Sequence, residues 1–414
     1  MQFRIFFVLL LTISGTHAQW VAQSFPNKLN ALRFVHFTSA NIGFAGGDGD
    51  SIYKTIDGGI NWIPSALGSL SAITFTNANT AYAVGTYQSP DTVQSYPNSA
   101  FFKSTNGGLT WTRHITTFNW TLNSVFFVDS NTGYAVSTGG QIYKTTDAGN
   151  IWNLLNSSPN SGDLASVFFP SPNIGYIVGS GGVLKTMDAG STWKTQTVSA
   201  TTNLRSVYFA NDSLGWAVGS KGTILKTTNG GKNWISRVSG TTYQLNRVYF
   251  TDANTGYVVG GGVALEEIVL KTFNSGDSWN TQTSPGINGM NWGLTSVYFQ
   301  NADTGYAVGY RSIFLKTTNG GGAYTPVPLF SRDQNPKSFL LKKNGDLLYN
   351  LSSGSHIQAL IFDASGRTIL NLVNENQDAG EHVVDLSRLN LAHGPCFLNF
   401  KTDKIQKVVP LLAK

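Results

Sequence analysis

The chain has 414 residues, of which 12% are charged, and its formal net charge is +6 at pH 7. Residues 19–330 carry 17 Lys or Arg against 14 Asp or Glu without any basic run, which argues against a nucleic-acid partner. The only cysteine, Cys396, excludes an internal disulfide.

The chain begins with a predicted signal peptide, residues 1–18. Arg4 precedes an apolar run from Ile5 to Ile13, and Ala18 ends a short cleavage-type sequence. No later apolar run reaches the roughly 18 residues of a membrane helix. We therefore expect a secreted protein, extracellular or on the outer cell surface, without a membrane span.

Seven near-copies of one segment follow, of which "ILKTTNGGKNW", ending at Trp234, is the clearest. The segments end at Trp62, Trp111, Trp152, Trp193, Trp234, Trp279 and Tyr324. Successive ends lie 49, 41, 41, 41, 45 and 45 residues apart. Periods of this size are typical of propeller blades or solenoid units, because one unit cannot bury its own apolar faces.

Each repeat contains four short predicted strands separated by Gly, Asn, Asp and Ser. A strand such as "LRSVYF" comes first, then "GYAVG", then "ILKT", then the segment after the tryptophan. The first strands begin at Leu32, Leu70, Leu122, Leu164, Leu204, Leu245 and Leu294. The sequence predicts an all-β fold, a seven-bladed β-propeller over residues 19–330, because radial closure protects the strand edges.

Each repeated segment carries an Asp or Asn that is expected to close the turn between the third and fourth strands. These residues are Asp57, Asn106, Asp147, Asp188, Asn229, Asn274 and Asn319. Four of the seven are Asn, which cannot act as a general acid or base, so we interpret the whole set as structural. A glycine such as Gly59 or Gly231 permits the turn. The lysine of each segment is expected to pack its stem on the third strand and keep its ammonium group in water.

These segments resemble Asp-box, or BNR, repeats, and "GYAVG…ILKTTNGGKNW" is similar to the propeller of the photosystem II assembly-factor family. The resemblance covers about residues 20–330. It implies the propeller fold, whereas function transfers weakly, because Asp boxes also occur in sialidases, sortilin-like receptors and xyloglucan hydrolases.

Residues 331–339 form a predicted linker, and residues 340–414 a second β-domain with alternating strands and turns at Asp363–Gly366 and Gly394. This segment resembles the C-terminal sorting domain of the type IX secretion system of Bacteroidota, an immunoglobulin-like β-sandwich. The resemblance implies the type IX secretion machinery as a partner. The usual opening Pro-Asn-Pro is reduced here to Asn335-Pro336, and Pro395-Cys396 replace a valine-tyrosine pair. An ordinary immunoglobulin-like binding module is the alternative.

The propeller face opposite the Asp boxes is the predicted binding face, because the long loops fall there and variable loops on a rigid scaffold usually carry function. The longest insertions are residues 85–100, 116–121, 260–269 and 284–293. Candidate ligand-binding residues are Tyr87, Tyr96, Trp120, Tyr243, Trp292, Arg33, Arg205, Arg247, Glu266 and Glu267. The three arginines come from inner-strand starts and could form an anion-binding cluster.

We interpret the protein as a non-enzymatic scaffold that binds an unknown extracellular protein or glycan. The alternative is a polysaccharide-acting glycoside hydrolase, which would need two carboxylates about 5–10 Å apart. Asp50 with Glu267 is one conceivable pair, and Asp48 and Asp91 lie on the same face. The six histidines show no metal-ligand spacing, so we expect no metal and no cofactor.

Ring closure is predicted to involve the segment from Trp20 to Phe25. Trp20 lies at nearly the distance before Leu32 that Trp234 lies before Leu245, so it has the register of an Asp-box tryptophan without a box. We expect this segment to pair as the outer strand of blade seven, whose own continuation, "GGGAYTPV", is degenerate.

Overall fold

The computed structural model divides into two compact units, Met1–Gly322 and Ala323–Lys414. The predicted signal peptide and, up to residue 338, the predicted linker lie outside the described residues. The described residues are 20–26, 31–49, 52–66, 68–87, 98–115, 120–155, 162–198, 203–261, 267–282, 293–322, 339–341, 346–351, 353–363, 368–385, 396–402 and 406–411.

The described residues of the first unit are nearly all β and form seven four-stranded antiparallel sheets, called blades 1 to 7 below. Their first strands are Ala31–Phe37, Ser69–Phe75, Leu122–Phe127, Leu164–Phe168, Leu204–Phe209, Leu245–Phe250 and Leu294–Phe299. Their second strands are Gly43–Asp48, Ala81–Tyr87, Gly133–Ser137, Gly175–Gly179, Gly215–Gly219, Gly256–Gly260 and Gly305–Gly309. Their third strands are Ile52–Thr55, Asn98–Ser104, Ile142–Thr145, Gly182–Thr186, Ile224–Thr227, Ile268–Thr272 and Phe314–Thr317. Their fourth strands are Ile63–Ala66, Thr112–Ile115, Asn153–Leu154, Lys194–Gln196, Ile235–Arg237, Asn280–Thr281 and, in blade 7, Val21–Ala22.

The blades form a closed ring. Each first strand contacts the first strands of both neighbouring blades, and blade 7 contacts blade 1 in the same way. Tyr298 Oη of blade 7 donates to the carbonyl oxygen of Phe37 in blade 1 at 2.6 Å. The first strands therefore surround the axis, as in a β-propeller.

Burial explains why the repeated segments form these strands. The second strands of blades 3 to 7, such as Gly215–Gly219, are buried along their whole length. Their continuous apolar sequences suit strands covered on both faces by neighbouring blades. Two short 3₁₀ segments, Thr138–Gly140 and Ser220–Gly222, connect second to third strands. In the part of the chain that the structure describes, no helix has the length and hydropathy that crossing a membrane requires.

The N-terminal segment closes blade 7, as predicted. Val21 and Ala22 pair with Lys316 and Leu315, and Gln23 N donates to the carbonyl oxygen of Phe314 at 2.7 Å. The register matches blade 5, where Ile235 and Ser236 pair with Lys226 and Leu225. The degenerate continuation of blade 7 lies outside the described residues from residue 323 onwards.

Trp20 takes the place of the Asp-box tryptophan of blade 7. It is fully buried, 5.7 Å from the ring of Phe299 and 6.5 Å from that of Tyr257, at interplanar angles of 84° and 85°. Trp234 of blade 5 has the same arrangement, 5.8 Å from Phe209 and 6.5 Å from Tyr176, at 87° and 83°. The segment that precedes blade 1 thus supplies the fourth strand of blade 7.

The second unit has a core of its own, in which Leu347, Ile357, Ile361 and Leu398 are fully buried. Its strands are Phe339–Leu341, Asp346–Leu351, Ser355–Asp363, Thr368–Gln377, Gly380–Asp385, Cys396–Lys401 and Gln406–Leu411. They form one three-stranded and one four-stranded antiparallel sheet. The immunoglobulin-like assignment stays a prediction.

Candidate functional site

The Asp boxes form compact turns that are held by the side-chain oxygens of a Thr or Ser and of the Asp or Asn two residues later. In blade 4, Thr186 Oγ1 donates to Asp188 Oδ1 at 2.7 Å and accepts from Gly190 N at 2.9 Å. Asp188 Oδ1 also accepts from Thr192 N at 2.8 Å. These bonds to the Thr192 side chain and amide and to Thr186 lower the pKa of the Asp188 carboxyl to about 2. A carboxylate held in this way has no proton to give at neutral pH.

The Asn boxes use the same acceptor atom. Asn106 Oδ1 accepts from Ser104 Oγ at 3.1 Å and from Thr110 N at 2.9 Å. The turn needs an acceptor oxygen rather than a charge, which explains why either Asp or Asn occupies this position. Gly59 and Gly231 have φ angles of 90° and 78°, a region that residues with a Cβ atom rarely adopt.

The box lysines differ from the expectation that their ammonium groups lie in water. Each ammonium group donates to the box of the next blade around the ring. Lys185 Nζ, for example, donates to the carbonyl oxygen of Gly230 at 2.7 Å. The donor and acceptor residues are Lys54 to Gly107, Lys103 to Asn150, Lys144 to Ala189, Lys185 to Gly230, Lys226 to Asp277, Lys271 to Gly320 and Lys316 to Gly58. Since the acceptors belong to neighbouring repeats, one repeat read alone does not reveal them.

Tyrosines of the second strands strengthen the same contacts. Tyr176 Oη donates to the carbonyl oxygen of Gly230 at 2.9 Å, so that this carbonyl accepts from two side chains of blade 4. Lys271 is only 4% exposed, and burial lowers its pKa to about 8. On the box side of the propeller, hydrogen bonds from these lysines and tyrosines therefore connect neighbouring blades.

On the opposite side, Arg33 is already engaged. Its Nε and Nη2 donate to the Asp48 carboxylate at 2.9 and 2.7 Å, and its guanidinium carbon lies 5.6 Å from the centroid of the Tyr310 ring. The hydrogen bond to Asp48 is the largest of the effects that raise the pKa of Arg33. Asp48, one of the acids considered for hydrolysis, is therefore paired with a guanidinium group.

Two of the predicted aromatic residues are held by local contacts. The guanidinium of Arg113 lies over the Tyr87 ring, 3.5 Å from its centroid. Trp120 is 46% exposed, and a Cβ atom added at Gly139 would lie 2.7 Å from its ring. Trp120 therefore combines an exposed ring with close packing on the turn of Gly139.

The remaining described candidates differ in exposure. Tyr243 and Glu267 are partly buried, while Arg205 and Arg247 are exposed. Tyr96, Trp292 and Glu266 lie outside the described residues, as do Asp50 and Asp91. Arg113 and Tyr310 were missed as site residues, because their partners Tyr87 and Arg33 lie in another strand and in another blade.

The described residues contain no group of three or more His, Cys, Asp or Glu side chains that could hold a metal ion. Asp163, a further acid on the loop side, accepts from Gly139 N at 2.9 Å. The loop side thus presents aromatic rings and arginines on a fixed framework, and two of its described acids, Asp48 and Asp163, have partners.

Comparisons with known proteins agree with this architecture. A family model described as Photosynthesis system II assembly factor YCF48 matches residues 155–242 and 237–340. A search of curated protein sequences found no match.

Three solved structures are similar to the chain at low sequence identity. A structure of YCF48 bound to D1 peptide is 17% identical with a TM-score of 0.57, covering 73% of this chain and 96% of its own. YCF48 from Cyanidioschyzon merolae is 18% identical with a TM-score of 0.57, covering 72% and 98%. A GH74 xyloglucanase from Xanthomonas campestris is 13% identical with a TM-score of 0.59, covering 94% and 74%. At these identities the likeness shows the fold alone, and this chain is a BNR-type β-propeller that resembles the photosystem II assembly factor.

Proposed function

We propose that the protein is a non-enzymatic binding scaffold of seven blades, whose loop side takes up an extracellular polypeptide. The carrying observation is Trp120, which keeps 46% of its surface exposed although Gly139 packs against its ring. A large aromatic ring held in place and open to water is the usual anchor of a binding surface. The YCF48 structure bound to D1 peptide supports a polypeptide rather than a glycan as the ligand.

Partnered acids support binding over hydrolysis. A glycosidase needs one carboxyl group to protonate the leaving group and a second to act on the sugar. Asp48 is paired with Arg33, and Asp163 accepts from a backbone amide. The similarity to a GH74 xyloglucanase keeps the hydrolase as the second candidate.

We further propose that the second unit is an immunoglobulin-like sorting domain and that the type IX secretion system exports the protein to the cell surface or the medium. The separate buried core of this unit supports a role as an independent module. The lysine-flanked apolar C-terminal strand and the turn sequences support the sorting role.

The binding proposal is tested with the full mature chain on peptide and glycan arrays. The polypeptide that binds is then retested with Trp120→Ala and with Leu154→Ala, an exposed apolar residue on an outer strand. We expect the first variant to lose about 2 kcal/mol of binding, roughly 30-fold, and the second to bind normally. Equal binding by both variants, or release of oligosaccharides from xyloglucan by the wild-type chain, would contradict the proposal.

A further inference from the structure

The axis of the propeller is surrounded by a belt of side chains from one position of the repeat, the fifth residue counted from the leucine of each first strand. The belt consists of His36, Thr74, Phe126, Phe168, Tyr208, Tyr249 and Tyr298. Neighbouring rings are close, with centroids 5.0 Å apart for Phe126 and Phe168, 5.6 Å for Tyr208 and Tyr249, and 4.7 Å for His36 and Tyr298. Six of the seven positions are aromatic, so the axis has an apolar wall.

Three belt tyrosines are fixed by hydrogen bonds to the next blade. Tyr208 Oη donates to the carbonyl oxygen of Phe250 at 3.0 Å, and Tyr249 Oη to that of Phe299 at 2.9 Å. Tyr298 makes the equivalent bond to Phe37. Their rings are thereby preorganised as walls, which lowers the entropy cost of binding a ligand between them.

Arg247 interrupts the repeat two residues before Tyr249. Blades 3, 4, 5 and 7 have Ser124, Ser166, Ser206 and Ser296 at this position. In blades 3 to 5 the serine hydroxyl accepts the valine amide of the next first strand, for example from Val207 N to Ser166 Oγ at 3.4 Å. These serines are buried, whereas Arg247 is exposed. Blade 6 thus has an arginine where blades 3 to 5 have a serine that hydrogen bonds to the next blade.

Arg247 lies on the same face of its strand as the belt residue Tyr249, because side chains two residues apart in a strand share a face. Arg247 is one of the causes, after burial, that lower the pKa of His36 to about 4, although blade 7 separates the two blades. Surrounding protein also lowers the pKa of Arg247 itself, and the described residues provide it with no carboxylate partner. A cation beside a wall of aromatic rings and without a carboxylate partner among the described residues is typical of ligand sites.

We propose that the belt and Arg247 form an anion site in which Arg247 binds one carboxylate while the apolar part of the ligand packs on the belt rings. A guanidinium matches the two oxygens of a carboxylate in a bidentate pair. A phosphate would bring a second negative charge, for which the described belt offers no second cation. The carboxylate can come from a free organic acid or from an acidic side chain of a polypeptide.

The test uses the full mature chain with benzoate as the probe, and benzyl alcohol and inorganic phosphate as comparisons. Binding is measured by calorimetry, and the pKa of His36 by NMR. We expect benzoate to bind and to raise the His36 pKa, because the bound anion offsets the charge of Arg247. Arg247→Ser, which copies blades 3, 4, 5 and 7, should weaken benzoate at least tenfold. Lys232→Ser, which removes an exposed cation from the box side, should leave benzoate binding unchanged.

A second ligand identifies the source of the carboxylate, and a second variant serves as a control if the first does not fold. N-acetylglutamate amide binding as well as benzoate points to an acidic side chain, and benzoate binding alone points to a free acid. If Arg247→Ser does not fold, Arg247→Lys keeps the charge but loses the bidentate fork, and should weaken benzoate severalfold. Equal benzoate affinity in the wild type and the folded Arg247 variant would overturn the proposal, as would equal affinity for benzyl alcohol or tighter binding of phosphate.

Discussion

At the scale of single residues, four of the described contacts between blades use a carbonyl oxygen that accepts from both a tyrosine and a lysine. The carbonyl oxygen of Gly230 receives both Tyr176 Oη and Lys185 Nζ. Blade 1 has only one of these two donors. Phe44 has no hydroxyl group, so the lysine Lys54 donates alone to the carbonyl oxygen of Gly107. A carbonyl with two donors tolerates the loss of one, because it is not left unsatisfied.

Tyr176→Phe is therefore expected to lower the free energy of unfolding by only about 1 kcal/mol. The double variant Tyr176→Phe with Lys185→Met should cost more than the sum of the single changes, because Gly230 then keeps neither side-chain donor. Chemical denaturation of the four proteins measures this coupling. Tyr87→Phe is the control, since the described residues provide no hydrogen-bond partner for its hydroxyl, and it should be neutral. Strict additivity would show that the two donors act independently.

His36 predicts a pH dependence of stability. Its pKa falls from 6.5 to about 4 on folding, through burial and then through Arg247. Between these two values the unfolded chain binds more protons, so the contribution of His36 is complete above pH 6.5 and is lost as the pH falls towards 4. The complete loss, reached below pH 4, is about 3 kcal/mol.

His36→Phe should remove this part of the acid sensitivity, because blades 3 and 4 already have Phe126 and Phe168 in the belt. Unfolding free energies at pH 7, 5.5 and 4.5 measure the effect, with His114→Phe as a control whose residue is exposed on an outer strand. The difference between His36→Phe and the wild type should grow as the pH falls. A constant difference would contradict the assignment of a neutral, buried histidine.

At the scale of the element, the strand Val21–Ala22 is short, yet it closes the ring because Trp20 precedes it. Only two residues pair with the third strand of blade 7, and Val21 is 51% exposed. The buried ring of Trp20 therefore carries most of the apolar contact. Substitutions at Val21 and at Trp20 can therefore measure separately how much the strand pairing and the buried ring contribute to stability.

Trp20→Ala is expected to lower the free energy of unfolding by about 3–5 kcal/mol, the usual cost of removing a buried tryptophan. Limited proteolysis should then cleave first at the boundary of blades 7 and 1. Val21→Ala, on the same strand, should cost less than about 0.5 kcal/mol. Similar melting temperatures for the two variants would show that the segment does not close the ring.

The strands and the ring closure could be predicted from the sequence, because the repeat fixes which residues of one blade share a register. The position of Trp20 followed from its distance to Leu32. Contacts between blades were not predictable in the same way. The ammonium groups of Lys185 and Lys271, expected in water, bind the next box because ring curvature brings neighbouring boxes together. Arg247 was singled out as a cation, but its place beside the belt and its effect on His36 need the closed ring.

At the scale of the whole molecule, the two units are separate in their cores. The propeller hydrogen bonds and ring contacts described above all lie within residues 20–322. The second unit buries Leu347, Ile357 and Leu398 in a cluster of its own. A module with its own core can be removed without exposing that of the other, so each unit can serve a different step.

Deletion of residues 340–414 tests the proposed sorting role. We expect the truncated propeller to fold, with the same unfolding transition as in the full chain, because its closing strand and Asp boxes are upstream. In a Bacteroidota host with a type IX secretion system, it should accumulate in the periplasm instead of reaching the surface or the medium, as cell fractionation would show. Residues 340–414 fused to an unrelated periplasmic reporter should deliver that reporter outside the cell. Normal surface delivery of the truncated propeller would contradict the sorting role, whereas an unfolded propeller would contradict the independence of the two units.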